Sequence, residues 1–365
     1  MKHVLLTAST FAVAASGAFA GGIDRSGQDL GLLFEKGRVV ELSFGQIMPT
    51  VEGTDLAGQP TGNVAKDYTQ IGLSYKYDVN DRLSFAINLD QPFGADVEYG
   101  ATSPLLGGTI ASATSTAVTG LLRYKFNENF SVHAGITADR ASASITLKGL
   151  AYGPVSGYNV DLATDVAPGY VVGVAYERPD IALRLALTYN SEIKHKFDTL
   201  ETINGVPIAA PSVTDVTLPQ SINFDFQSGI AANTLIFGQV RYVDWSAFLV
   251  DPAGFVGATG SGLIDLQDTV TYILGVGRKF NDTWSGVVSV QYEKEGNPLV
   301  SPLAPTNGRM GVSLAAIYTV GNMKITTGIN YTKVGDAQPE TAGVARASME
   351  GNTSVGVGIK VAYTF

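Results

Sequence analysis

Most of this chain consists of blocks in which every second residue is apolar, joined alternately by very short and by long connections. In one block, Ile71, Leu73 and Tyr75 alternate with small or polar residues, and the short stretch "DVND" leads into the next block at Leu83. A period of two is that of a β-strand with one apolar face, and a tight turn between two such strands makes a hairpin. The pattern therefore predicts a series of antiparallel hairpins.

The connections follow a regular order. Besides "DVND", short connections occur at 126–129, 177–180, 228–233, 280–283 and 320–322. The connections between them are long and rich in Gly, Pro, Ser, Thr and Asp, at 50–66, 94–112, 148–162, 200–213, 249–265, 295–307 and 335–348. This alternation is typical of an outer-membrane barrel with short periplasmic turns and long extracellular loops. With a first strand near 38–49, it predicts an all-β transmembrane antiparallel β-barrel of about 14 strands, with both termini on the periplasmic side.

The aromatic residues point to the same fold. Each descending strand carries one near its lower end: Tyr77, Phe126, Tyr176, Phe226, Phe280, Tyr318 and Phe365. Membrane barrels place aromatic rings at the boundary between lipid and water. We therefore expect Phe365, which ends the stretch "VGVGIKVAYTF", to belong to this lower girdle and to lie in the strand that closes the barrel.

Composition and the first residues indicate export. Only 16% of the residues are charged, below the usual quarter of a soluble domain. Lys2 and His3 precede the apolar stretch "VLLTASTFAVAASGAFA", whose Ala18 and Ala20 fit a signal-peptidase site, so residues 1–20 are predicted to be a signal peptide. No later run of about 18 apolar residues predicts a transmembrane helix. Removing the one lysine of this segment lowers the formal net charge from -9 to -10, which argues against a nucleic-acid partner.

A β-propeller and an enzymatic barrel are the two other classes that fit parts of this pattern. A unit that recurs at about 50 residues also suits a β-propeller, although no blade signature repeats. For an enzyme, Ser131 and His133 share one face, but residues two apart in a strand project about 7 Å from each other, too far for a nucleophile and its base. The chain has no Cys, and only His133 and His195 follow the signal segment. The sequence therefore predicts no catalytic residue, no metal site and no cofactor.

Charged residues between the apolar positions are predicted to face the lumen. They carry both signs: Lys76, Asp90, Arg123, Asp139, Arg184, Asp225, Arg241, Glu293 and Lys324. The simpler interpretation is that such residues brace the barrel through ion pairs. Arg123 and Arg241 are also candidate substrate-binding residues.

The stretch "SEIKHKF" at 191–197 suggests a capture site. Extending the alternation of the preceding strand places Ile193, His195 and Phe197 on the outer side, and Lys194 and Lys196 on the lumen side together with Glu192. Two lysines at the outer mouth would attract an anionic head group before an apolar tail enters. The alternative is a solvated extension of the strand.

Four stretches occur in a characteristic order: "DRLSFAINLDQPFG" (81–94), "LRLALTYNSEIKHKF" (183–197), "LPQSINFDF" (218–226) and "VDWSAF" (243–248). Together they resemble the FadL-type outer-membrane transporters of long-chain fatty acids, a family that also includes toluene and xylene carriers. The resemblance implies a fourteen-stranded barrel that captures hydrophobic molecules among its outer loops and releases them sideways through a gap near the third strand. It also implies that Tyr363 and Phe365 form the signal read by the barrel-assembly machinery.

Pro92, Phe93 and Gly94 mark the implied opening, because proline cannot donate to the sheet ladder and glycine weakens it. The same residues could instead simply end the strand. The family's N-terminal plug carries an Asn-Pro-Ala motif that is missing here. Residues 21–37 are predicted to be a shorter plug, residues 38–365 form the barrel, and how the lumen is closed stays open.

The sequence thus predicts transport of long-chain fatty acids or other hydrophobic small molecules across a Gram-negative outer membrane. The alternative is a general diffusion porin for hydrophilic solutes, whose wide lumen a loop would constrict with acidic and basic residues on opposite walls. Many loop residues are apolar instead and predict a capture surface: Leu105, Leu106, Leu150, Phe248, Leu249, Phe255, Leu299 and Leu303. Of these, Phe248, Leu249 and Phe255 are predicted to bind substrate. The expected partners are outer-membrane lipid and lipopolysaccharide, the assembly machinery and the substrate, with the protein a monomer.

Overall fold

Residues 23–365 are described by a computed structural model, and the predicted signal peptide lies outside them. Fourteen antiparallel strands form one closed sheet. They are β1 (Val39–Thr50), β2 (Tyr68–Asp78), β3 (Leu83–Asp90 and Gly94–Glu98), β4 (Ile110–Lys125), β5 (Phe130–Leu147), β6 (Tyr158–Arg178), β7 (Leu183–Asn190 and Ile193–Ile203), β8 (Ser212–Leu218 and Ser221–Ala231), β9 (Thr234–Val243), β10 (Thr269–Lys279), β11 (Trp284–Glu293), β12 (Arg309–Val320), β13 (Met323–Val334) and β14 (Thr353–Thr364). The predicted all-β barrel of about 14 strands is confirmed.

The two-residue period sorts the side chains between lipid and lumen. On β12, Met310, Val312 and Leu314 point outward and are exposed, while Ser313 is buried in the interior. Lipid solvates the apolar face, and neighbouring strands pair the backbone groups of the sheet except at the interruption between β2 and β3 described below. The lower interior is correspondingly polar. Within the described residues, no helix is long and apolar enough to cross a membrane.

The barrel closes between its first and last strands. β14 pairs with β1 from Thr364 opposite Val39 to Thr353 opposite Thr50. The backbone N–H of Phe365 donates to the Arg38 carbonyl at 2.9 Å, and the rings of Tyr363 and Phe365 meet with centroids 5.0 Å apart. The expected position of Phe365 at the closing seam is therefore confirmed, whereas its role in assembly stays a prediction.

Strand β3 is interrupted at its middle by one extra residue. Asp90 pairs with Ala117 of β4, and Gly94 pairs with Thr114. The chain therefore advances by four residues on β3 where it advances by three on β4. Because side chains alternate, one extra residue reverses which positions face inward. Ser84 and Ala86 face inward below this kink, and Ala95 and Val97 face inward above it.

Strand β7 carries the same kind of irregularity between Asn190 and Ile193, and adjacent breaks or bulges occur in β6 and β8. Below it the inward residues have even numbers, and above it they have odd numbers, so His195 is buried and Lys194 and Lys196 are exposed. The predicted orientation of "SEIKHKF" is therefore wrong. The prediction continued the alternation of residues 183–190 through an unbroken strand. The break after Asn190 instead reverses which residues face inward.

The loops on the upper side fold inward over the lumen. They contain a helix, α1 (Ala253–Thr259), and single helical turns at Leu150–Val155 and Trp245–Ala247, with a further turn, Pro179–Ile181, on the lower side. Short strands Gly53–Asp55 and Ala347–Met349 pair with each other, Val206–Pro207 pairs with the end of β7, and Gln338–Thr341 pairs with Leu299–Val300 and Val344–Ala345. The barrel rises higher than predicted, because the ends of the expected loops 148–162 and 200–213 continue as β6, β7 and β8.

Candidate functional site

A segment that precedes the first strand crosses the lumen; residues 23–36 are called the plug below. Its first residues add a short strand to the β3 kink: the Arg25 N–H donates to the Pro92 carbonyl at 2.7 Å, and the Gly94 N–H donates to the Ile23 carbonyl at 2.9 Å. Backbone groups that lose a ladder partner at a kink must find another. The plug supplies it here.

The plug is also fixed to the opposite wall. Asp24 forms an ion pair with Arg241 of β9 at 2.7 Å, and the Ser221 hydroxyl of β8 donates to Gln28 at 2.8 Å. Arg241, predicted as a substrate contact, therefore holds the plug. The segment spans the lumen from β3 to β9.

The lower half of the plug fills the barrel centre with a helical turn, Gly31–Phe34. Leu33 is buried in an apolar cluster that includes residues of β3, β4 and β6. The guanidinium carbons of Arg123 and Arg184 lie 4.5 and 4.6 Å from the centre of the Phe34 ring. Arg123 also forms an ion pair with Glu177 near the periplasmic end, far from the outer loops.

Above the plug lies an apolar cavity of about 70 Å³, called the upper chamber below. Small residues of β3, β4 and β5 form one wall, and larger apolar residues form the rest. Lining residues include Ile23, Phe93, Gly94, Ala95, Ala111, Ala113, Ala141, Ala143, Ile145, Leu162, Phe197, Val216, Leu218, Phe248, Val250, Ile264 and Leu303. No described residue that lines it carries a charge. The chamber suits a ligand without charge in its buried part.

Aromatic residues link the chamber to the β3 kink. Trp245, which is 1% exposed, packs edge-on against Phe93 at 5.7 Å between ring centroids and against Phe248 at 6.1 Å. Phe248 extends from an outer loop into the chamber wall, whereas Leu249 is exposed; substrate binding by either residue stays a prediction. The Trp245 side chain thus contacts both the β3 kink and the outer-loop residue Phe248.

The loop helix α1 is anchored by a carboxylate on the upper wall. Glu201 of β7 accepts hydrogen bonds from the backbone N–H groups of Gly254 at 2.8 Å and Phe255 at 2.7 Å, and from the Tyr158 hydroxyl at 2.8 Å. Acceptors at a helix start satisfy its free N–H groups. Phe255 is thereby held in a buried position, with its ring tilted by 51° to that of Tyr158 and the two centroids 4.8 Å apart, and it does not line the chamber.

Asp55 ties two outer loops together. Burial alone would raise the pKa of its carboxyl, but hydrogen bonds from the Ser103 hydroxyl (2.7 Å) and from the backbone of Gln59 (3.0 Å) and Ala57 (2.9 Å) outweigh burial and lower that pKa. A group whose folded pKa is lowered contributes stability above its unfolded pKa, about 4, and loses it as the pH falls through the folded value. Asp55 is therefore ionised at neutral pH and accepts the hydrogen bonds that join these two loops.

The barrel wall is interrupted beside the chamber. β2 pairs with β3 only as far up as Leu73 opposite Leu89. Above this point no backbone pair is formed among the described residues until Ala65 meets Val97, and the Ile71 N–H donates to the Gln91 side chain instead. We call this interval, between Tyr68–Gly72 and Pro92–Asp96, the wall gap. The predicted kink at Pro92, Phe93 and Gly94 lies on its edge.

A buried polar network lies next to the chamber and was missed by the sequence prediction. The two ring nitrogens of His195 meet Asp139 at 3.2 Å and Asp165 at 2.9 Å, and Asp139 accepts from the Ser115 hydroxyl at 2.6 Å. The Ser115 N–H in turn donates to the Phe93 carbonyl at 3.2 Å. Within residues 23–365 no cluster of His, Asp or Glu is arranged to hold a metal ion. The network braces the kink against β5, β6 and β7.

Two further site features could not be recognised in advance. The small residues of "IASATSTA" on β4 and "RASASI" on β5, which make room for the chamber, read as weak strand signals. Lys194 forms an ion pair with Glu192 at 2.9 Å on the outer surface, and Lys196 is likewise exposed. Neither lysine lines the chamber.

Comparison with known proteins identifies similar barrels. The family model described as outer membrane protein transport protein (OMPP1/FadL/TodX) matches residues 41–365. The structure of a Pseudomonas aeruginosa FadL homologue has a TM-score of 0.72 at 16% identity and covers 92% of this chain and 92% of that chain. The structure of the Pseudomonas putida toluene transporter TodX has a TM-score of 0.66 at 13% identity and covers 97% of this chain and 96% of that chain. The structure of the Ralstonia pickettii toluene transporter TbuX has a TM-score of 0.63 at 15% identity and covers 91% of this chain and 90% of that chain. A search of curated protein sequences found no match.

Proposed function

The chain belongs to the OMPP1/FadL/TodX family of outer membrane transport proteins, and from this premise we propose that it takes up hydrophobic small molecules through the upper chamber and releases them sideways through the wall gap. Family members are transporters or channels, so the chain is not an enzyme. Long-chain fatty acids and aromatic hydrocarbons are the proposed substrates.

One observation carries this proposal: the apolar chamber and the wall gap share residues. Phe93 and Gly94 line the chamber and also form the kinked edge of the gap. Burying apolar surface stabilises a bound hydrocarbon by about 25 cal/mol per Å². A molecule held there would be next to the membrane, into which it could pass without crossing water.

The chamber lining favours apolar ligands over charged ones. Its polar groups are hydroxyls, such as that of Ser115, and the lysines expected to capture a head group lie on the outer surface. A carboxylate in the chamber would lack a charged partner and would lose hydration. We therefore place part of the tail of a fatty acid in the chamber and its head group outside.

The porin alternative has no support. A porin needs an open aqueous lumen, whereas here the plug crosses the lumen and contacts both β3 and β9. Above the plug, loop residues such as Leu106 and Leu303 are buried in the apolar core.

We place the barrel in a Gram-negative outer membrane and propose that residues 1–20 are the signal peptide that directs its export. Lipid and lipopolysaccharide would surround a monomer, and the assembly machinery would read Tyr363 and Phe365.

Ligand binding in the chamber is expected to change the fluorescence of Trp245. The chain has two tryptophans, and Trp284 lies exposed on the outer face, so a Trp284→Phe protein reports Trp245 alone. Titration with oleate and with toluene should give saturable changes. Phe248→Ala should weaken oleate binding about tenfold, because a ring contact worth ~1.4 kcal/mol is lost.

The matched control is Phe224→Ala, which removes a ring from the outer face, where Phe224 is 38% exposed. It should leave the titration unchanged. If Phe248→Ala and Phe224→Ala have the same effect, or if Trp245 does not respond, the ligand is not bound in the chamber.

A further inference from the structure

The side chain of Arg25 occupies the wall gap. It comes from the plug and is 9% exposed. Its guanidinium carbon lies 4.2 Å from the centre of the Tyr68 ring on β2 and its Nη2 lies 2.8 Å from Asp96 on β3. One cationic group therefore contacts both strands whose backbones fail to pair.

Gly94 allows the guanidinium to lie across β3. A Cβ built at this glycine would be 2.5 Å from the Arg25 Cζ, closer than real Cβ contacts come. Any side chain at position 94 would thus displace Arg25 from the gap. The backbone of Arg25 is held as well, since the Gln70 side chain of β2 donates a hydrogen bond to the Arg25 carbonyl at 2.7 Å.

We propose that Arg25 is the gate residue of the wall gap: its ion pair with Asp96 and its stacking on Tyr68 keep the gap closed, and a substrate leaves when this group moves aside. The inference rests on the proposed lateral release and adds the residue that controls it. Arg25 does not line the chamber. It should therefore govern how fast a ligand leaves, not how tightly the chamber holds it.

The ion pair is suited to repeated opening. The Asp96 side chain is 31% exposed and also accepts a hydrogen bond from the Ser112 hydroxyl at 3.1 Å, so its carboxylate keeps a polar partner when Arg25 moves. A partly exposed ion pair costs less to separate than a fully buried one, because the freed groups are not left without polar surroundings. The closed gap is thus favoured without being locked.

The test measures release from loaded protein. A dansyl-labelled fatty acid is bound to the Trp284→Phe protein, where energy transfer from Trp245 reports occupancy, and is then mixed with excess lipid vesicles in a stopped-flow instrument. Arg25→Gln and Asp96→Asn should each release the probe about three- to tenfold faster, with unchanged equilibrium transfer before mixing. The double variant should release the probe no faster than Arg25→Gln alone, because Asp96→Asn removes only the ion pair that Arg25→Gln has already removed.

Glu98→Gln is the matched control, since it removes a neighbouring carboxylate of β3 that pairs with Lys66 at 2.9 Å and not with Arg25. It should leave the release rate unchanged. Release at the unsubstituted rate in both Arg25→Gln and Asp96→Asn would overturn the gate, as would additive effects in the double variant. Absence of energy transfer in the protein before any gate substitution would overturn the proposed function itself.

Discussion

Deletion of Pro92 is expected to abolish uptake of hydrophobic molecules while leaving them able to bind in the upper chamber. β3 has one residue more than β4 between Asp90 and Gly94, and this surplus separates its upper half from β2. Removing one residue restores a single register, in which Phe93 and Ala95 still face inward. The upper half of β3 can then pair with β2, and the wall gap closes.

The measurement is uptake of radiolabelled oleate by cells, with Trp245 titration of the purified variant as the binding readout. Pro92→Ala is the matched control: it keeps the number of residues, hence the kink, and should retain most of the uptake. Uptake by the deletion variant at the rate of Pro92→Ala would show that the gap is not the exit.

The Ala141→Phe substitution should strongly weaken both the binding and the uptake of oleate. Ala141 of β5 lines the chamber and is 7% exposed. The added ring would fill a cavity of about 70 Å³, at an overpacking cost of about 1 to 3 kcal/mol. We expect oleate affinity measured through Trp245 to fall more than about tenfold, the factor that corresponds to ~1.4 kcal/mol.

Ala138→Phe places the same ring on the outer face of the same strand, where Ala138 is exposed. This control should bind and take up oleate normally. Normal binding by the Ala141→Phe protein, with heat-modifiable migration showing that it is folded, would mean that the ligand occupies another place.

The barrel could be predicted because its signals are local. Strand period, the alternation of short turns and long loops, and an aromatic residue at each lower end are all visible in the sequence. They depend on the lipid and water that each residue meets, not on distant contacts. The seam between β1 and β14 follows from the same pattern once the strand number is even.

The site was harder to predict because it depends on departures from that pattern. The break after Asn190 reverses which residues of β7 face inward, so His195 is buried and Lys194 lies outside. No local signal gives the pairing of Asp24 with Arg241, which are 217 residues apart in the chain. Small residues such as Ala113 leave room for the chamber, and an empty volume gives no periodic sequence pattern from which it could be predicted.

The most direct test of lateral release is to observe where a transported molecule first arrives. The barrel is reconstituted in vesicles whose bilayer contains a nitroxide-labelled lipid quencher and whose interior contains albumin. A dansyl-labelled fatty acid is then added outside, and its fluorescence is followed in vesicles with and without protein. Quenching by the labelled lipid reports entry into the bilayer, and dansyl emission on albumin reports arrival in the interior.

The structure predicts that the protein accelerates quenching by the labelled lipid first, with albumin binding following after a delay, and that Pro92 deletion removes this acceleration. Protein-dependent binding to albumin before any lipid quenching, unaffected by the deletion, would contradict lateral release and place the exit in the lumen.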